Sequence, residues 1–194
     1  MAARPGRGPS RPHRSEARRD GTPEFLGRER ERERGAGHPV EAGDPDHARL
    51  LTDYEAAMEV ALAETEHAFL VADGEWGERM RIALARLLEL AARYPEQARL
   101  CTIDVFAAGQ AGLERRDVWL DRFAVLCQSG YTAAGAADRQ PRVLTPLAVG
   151  ALFELIRSHA EENRLAKLPD ALPTAVLVVT APVLGRDAAL ALAA

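Results

Sequence analysis

Residues 44–74 read DPDHARLLTDYEAAMEVALAETEHAFLVADG, and the spacing of apolar side chains in this stretch decides the fold. Leu51, Tyr54, Met58, Leu62, Thr65, Phe69 and Ala72 recur every three or four residues, which lines one face of an α-helix. Asp44 or Asp46 can cap its start, Pro45 fits a first helical position, and Asp73-Gly74 ends it. A second stripe, Trp76, Met80, Leu84, Leu87, Leu88 and Ala91, stops at Tyr94-Pro95, because proline lacks a backbone donor and restricts the residue before it. Two antiparallel helices are expected.

Three more helices follow by the same reasoning. The third starts around Pro95 and carries Ala98, Leu100, Cys101, Val105 and Phe106 to Ala108-Gly109. The fourth follows Gly112 and carries Leu113, Leu120, Phe123, Cys127 and Tyr131, with Gly130 near its end. Thr132 to Arg142 reads as a loop. The fifth, about Thr145 to Arg164, has two apolar faces: Leu144, Leu147, Ala151 and Leu155 on one, Val149, Phe153, Ile156 and Ala160 on the other. A helix wet on one side needs only one such face, so a partner is expected on the second, with Ala148, Gly150 and Ala151 permitting close approach. In the final segment, Leu168 to Ala194, the run Ala175-Val176-Leu177-Val178-Val179 is apolar all round. Taken alone it also suits a buried strand, but no second strand signal exists to pair with it, and it is read as helix. The fold class is all-α, a helical bundle over residues 44–194.

Composition changes sharply at Asp44. Residues 1–43 hold Gly, Pro, Arg and Ser with almost no large apolar side chains beyond Phe25, Leu26 and Val40, so a disordered, basic, low-complexity arm is expected. Arginines 4, 7, 11, 14, 18 and 19 face only Glu16 and Asp20 there, a local surplus that could make weak, salt-sensitive contact with nucleic acid or simply be solvated. Over the whole chain the net charge is −4, which excludes a surface built throughout to hold nucleic acid. Cys101 and Cys127 are too few for a disulfide framework and lack C-x-x-C spacing. A reducing, cytoplasmic setting is expected. No secretory signal is legible, and the apolar stretch Ala171–Leu184 is interrupted by Pro173 and Pro182 and falls short of a bilayer span, so no membrane helix is expected.

Chemistry has few carriers. Glu64-Thr65-Glu66-His67 has the Glu-x-x-His spacing of di-iron bundles, but the nearest second candidate, Glu154 to Arg157, puts arginine where histidine is required. The motif therefore reads as a solvated helix face, and no metal or other cofactor is expected. His159, Glu161 and Glu162 point in different directions on a helix and form a polar helix end. Both cysteines fall on apolar stripes and read as inert buried thiols. No phosphate-binding glycine loop or serine elbow is present, and the chain is not expected to be an enzyme.

Several stretches, taken in order, resemble a known family. They are Asp44-Pro45-Asp46 leading to Tyr54-Glu55-Ala56-Ala57, the Trp76 to Leu90 helix, and Pro95-Glu96-Gln97-Ala98-Arg99-Leu100 with Phe106-Ala107-Ala108-Gly109 and Glu114-Arg115-Arg116. Gly150-Ala151-Leu152 through Ile156, Leu168-Pro169 and Ala181-Pro182-Val183-Leu184-Gly185 complete the set. Together they resemble the C-terminal ligand-binding and dimerisation domain of TetR/AcrR-type transcriptional regulators. The resemblance implies an all-helical effector domain, an internal pocket for a small apolar effector, and a homodimer made by the last two long helices. It also implies an N-terminal helix-turn-helix, which residues 1–43 do not show. A misplaced gene start or a frameshift is the expected cause; the alternatives are an effector-only protein that pairs with a full-length relative, or a regulator with a basic DNA-binding arm.

On this reading the pocket candidates are Met58, Leu62, Met80, Leu84, Phe106, Phe123 and Cys127, each of which serves equally as plain core. The ligand is expected between the first four helices. The dimer candidates are Phe153, Ile156, Val176, Val179 and Val183. Replacing Ile156 by Glu is expected to give monomer or aggregate. DNA binding requires a supplied helix-turn-helix or the N-terminal arm. A rival reading is a helical protein-interaction module that modulates a complete regulator without a small ligand.

Overall fold

A computed structural model describes residues 45–133 and 141–194, which lie within one compact unit, Ala42–Ala194. The arm expected over residues 1–43 and most of the loop expected over 132–142 lie outside the described residues. Every regular element among the described residues is helical: α1 (Pro45–Val71), α2 (Trp76–Arg93), α3 (Pro95–Thr102), a 3₁₀ turn (Asp104–Ala108), α4 (Gly109–Ala133), α5 (Pro141–Glu161), a second 3₁₀ turn (Leu165–Ala171), α6 (Leu172–Leu184) and α7 (Arg186–Ala193). The run 175–179 is helix, within α6.

The periodicity of α1 maps onto its burial, since Tyr54, Met58, Leu62, Thr65 and Phe69 form its buried face. They meet Met80, Ala83, Leu84, Leu87 and Leu88 of α2 in one core. At the start of α2 the Glu78 carboxylate accepts a hydrogen bond from the Glu75 backbone N–H at 2.9 Å, and Glu78 itself lies in the first turn, where negative charge is favoured. Ion pairs fasten the outside of α1 to its neighbours: Glu64 to Arg86 of α2 at 2.7 Å, Glu55 to Arg115 and Glu59 to Arg122 of α4, the last at 3.8 Å. All three are substantially exposed, worth at most about 1 kcal/mol apiece, so they orient helices that the core holds together.

The third helix is shorter than its apolar pattern suggests. It closes at Thr102, and the chain tightens into the 3₁₀ turn that inserts Val105 fully into the core. Gly112 lies inside α4, because α4 starts at Gly109; an added Cβ at Gly112 would sit 2.1 Å from the Val105 carbonyl oxygen, so only glycine lets α4 pass that turn. Gly130 permits a similar approach by the indole of Trp76. Helix α5 begins at Pro141, four residues before the expected Thr145, because proline is preorganised for a first helical position. It ends at Glu161, and Asn163 then takes a left-handed conformation, one of the few non-glycine residues that does so readily.

Helix α6 runs beside α7 and packs on α2 and α5. Two stretches, Val143–Glu161 and Leu165–Leu184, are apolar and long enough to cross a membrane by length and composition alone. In the structure both belong to the bundle and pack against one another.

A candidate ligand cavity

Between α1, α2, α3, α4 and α5 lies a cavity of about 300 Å³, at the lower end of the size of small-molecule pockets. Helix α1 contributes Ala57, Met58, Val60 and Ala61; α2 contributes Leu87, Leu90 and Ala91, with Tyr94 just beyond its end. Helix α3 adds Gln97, Ala98, Cys101 and Thr102, α4 adds Leu120 and Phe123, and α5 adds Val149, Leu152, Phe153 and Ile156. The void exists because inward positions on three successive helices carry alanine: Ala57 and Ala61, one turn apart on α1, Ala91 on α2 and Ala98 on α3. Larger side chains at those positions would fill it. Val60, Tyr94 and Gln97 are exposed and form the rim, whereas Met58, Thr102, Phe123, Leu152 and Phe153 are buried.

Electrostatically the wall is neutral. Burial pushes the Cys101 thiol up to about 12, so it stays protonated at physiological pH, and Cys127, away from the wall, is raised equally by the same desolvation. Thr102 spends its hydroxyl hydrogen on the Ala98 carbonyl at 2.7 Å. Of the charged groups around the cavity, Arg99 donates to the Ala160 carbonyl at 3.1 Å, tying α3 to the end of α5, Arg122 covers the Trp119 ring and Arg93 lies over the Tyr94 ring at the rim. Beside Cys101, the fully buried Tyr54 has a hydroxyl with no hydrogen-bond partner among the described residues, and burial raises its pKa.

Of the seven pocket candidates, Met58 and Phe123 line this cavity. Leu62, Met80, Leu84 and Cys127 are buried core residues outside its wall, and Phe106 is half-buried beneath the Arg116 guanidinium. For Met80 and Leu84 the level of the void explains their absence from the wall. It sits at residues 57–61 of α1 and the C-terminal half of α2, while Met80 and Leu84 lie in the N-terminal half of α2, toward the α1–α2 turn. The expected placement between four helices also needs correction, because α5 supplies four wall residues.

The five dimer candidates face inward. Phe153 and Ile156 are walls of the cavity, while Val176, Val179 and Val183 are buried within the chain. The apolar side chains that α5 exposes are others, Val143, Leu147 and Ala151. Glu64 holds Arg86, and His67 is exposed. His159 Nδ1 lies 2.8 Å from the Leu155 carbonyl, Glu161 pairs with Arg157 and Glu162 with Arg164. Among the described residues no three His, Cys, Asp or Glu side chains are grouped as metal ligands. No protein-family model, curated protein or solved structure matches this chain.

Proposed function

We propose that this chain is the effector-binding and dimerisation part of a ligand-responsive, TetR-like transcriptional regulator that works in the cytoplasm. One observation carries the reading. Helix α5 borders the apolar cavity with Val149, Leu152, Phe153 and Ile156 and exposes Val143, Leu147 and Ala151 to solvent. A small apolar effector entering past Val60, Tyr94 and Gln97 would press on the inner side of a helix whose outer side meets a second copy or a full-length relative. The ligand's preference for one packing of α5 would then bias the geometry of the dimer. In a chain carrying a helix-turn-helix that geometry sets the spacing of two DNA-reading modules. The present chain would act on DNA through such a partner or through its basic arm.

The test is a thermal-shift screen of the purified chain against neutral apolar compounds, read beside sedimentation velocity. A ligand that binds only the folded state raises Tm with concentration, and the expected result is such a rise together with a dimer. A dimer with no response to any compound would instead favour the protein-interaction module, for which the exposed apolar residues of α5 are the supporting observation.

A further inference from the structure

The cavity's wall chemistry narrows what can occupy it, given the ligand-binding reading above. Among the described residues no arginine, lysine, histidine, aspartate or glutamate lines it. An ionised ligand would leave water without gaining a counter-charge, a cost of several kcal/mol for a desolvated charge. Of the cations on the surrounding helices, Arg86 holds Glu64, Arg122 pairs with Glu59 and Arg99 holds the Ala160 carbonyl, while Arg93 lies exposed over the rim ring of Tyr94, outside the buried wall. The nearby acids Glu59 and Glu64 are the other halves of those pairs.

Polar recognition therefore falls to neutral groups; besides the Cys101 thiol, a weak donor, they are of two kinds. Tyr94 and Gln97 stand at the exposed rim, where a ligand hydrogen bond only replaces one to water and discriminates little. Thr102 is different, because it is buried and its hydrogen is already donated to Ala98, one turn earlier on the same wall. A hydroxyl in that state offers lone pairs alone. It can complete a bond with a donor and cannot satisfy an acceptor.

We infer that the cavity takes an uncharged ligand with an apolar body and one hydrogen-bond-donating end, an alcohol or a phenol, whose O–H donates to Thr102 Oγ1. Two matched series probe this in isothermal titration calorimetry with the full chain: 2-naphthol, 2-methoxynaphthalene and 2-naphthoate, then 1-decanol, its methyl ether and decanoate. In the series that fits the cavity, the hydroxyl compound binds roughly 3- to 10-fold more tightly than its ether, the worth of one net hydrogen bond. The carboxylate binds at least about 100-fold more weakly. Thr102→Val removes the hydroxyl at nearly constant volume and brings alcohol and ether to equal affinity, whereas Thr102→Ser keeps the preference. Ether and alcohol binding equally to the unaltered chain, a preference that survives Thr102→Val, or a carboxylate that binds as well as the alcohol would overturn the inference and leave the ligand-binding reading standing. No binding by any neutral member of either series would count against the ligand-binding reading itself.

Discussion

Helices α5 and α6 carry the same sequence signal and resolve it differently. Each has more apolar surface than a helix with one wet side requires. Helix α6 buries Ala175, Val176, Val179, Thr180 and Val183 against α2, α5 and α7, so its excess is consumed inside the chain. Helix α5 borders a void on its inner side and leaves Val143 and Leu147 more than half exposed, at 53% and 63%. Excess apolarity thus shows that a helix is covered on several sides without showing by what. Its own chain, a ligand and a partner all write the same pattern.

The sharpest way to break the contrast is a charge in α6. Val176 is 0% exposed within the hydrophobic core, and Val176→Asp would bury a carboxylate there. The expected loss is several kcal/mol, a large share of the ~5–15 kcal/mol that holds a domain folded. Circular dichroism with urea titration should show the cooperative transition gone or displaced far toward water. An unchanged midpoint would mean that α6 is not core, and the difference from α5 would vanish.

Phe153→Ala on the cavity side of α5 comes next. Truncating a core phenylalanine costs about 3–5 kcal/mol, and the lower end is expected here because the ring already borders empty space. The same change enlarges the cavity, so compounds too bulky for the unaltered chain should raise the Tm of the variant. Ile156→Glu belongs with this class: Ile156 lines the cavity, so the expected damage is lost stability and lost ligand response, whatever the state of the dimer. If that variant kept its stability and became monomeric, Ile156 would face outward after all.

Burial of the thiols gives a third, gentler test. Cys101 and Cys127 are both raised from 9.0 to about 12 by desolvation, so the folded state holds protons that the unfolded chain releases first. Stability is therefore unaffected by these groups below about pH 8 and falls as pH rises from about 9 toward about 12. Urea midpoints measured across that window should decline, and substituting both cysteines by alanine should flatten the decline between about pH 9 and pH 10, above which the buried Tyr54 hydroxyl acts in the same sense. A flat profile in the unaltered chain would show the α3–α4 side of the core open to water.

How much of this was legible in the residues depends on whether the information is local. The stripe Tyr54, Met58, Leu62, Thr65, Phe69 needed nothing beyond helical period, and α1 and α2 appear within a few residues of their expected ends. The break after Thr102 was not legible, because the 3₁₀ turn there fits beneath the close pass of Gly112 over the Val105 carbonyl, a contact between separate elements. The cavity was half legible. Large apolar residues marked the core in general, but the void is set by the small ones, and Ala57, Ala61, Ala91 and Ala98 converge only once three helices are assembled. For the same reason Phe153 and Ile156 looked like partner-facing residues, since their periodicity gives a face and not its direction.

The smallest effect on stability should come from the outer face of α5. Leu147→Glu places a charge where water already reaches, and surface changes of this kind lie within about 0.5 kcal/mol. Its effect on association should be the opposite of small. In a dimer that closes over Val143, Leu147 and Ala151, two symmetry-related glutamates would meet in a desolvated contact, and sedimentation velocity should show monomer at concentrations where the unaltered chain is dimeric. Ligand response should persist, because Leu147 is not part of the cavity wall. A variant that stays dimeric would move the interface off α5, and ligand binding and association would then have to be coupled through another helix. A variant that is monomeric yet still responds to ligand would separate the two faces of α5, one reading the cavity and the other reading the partner.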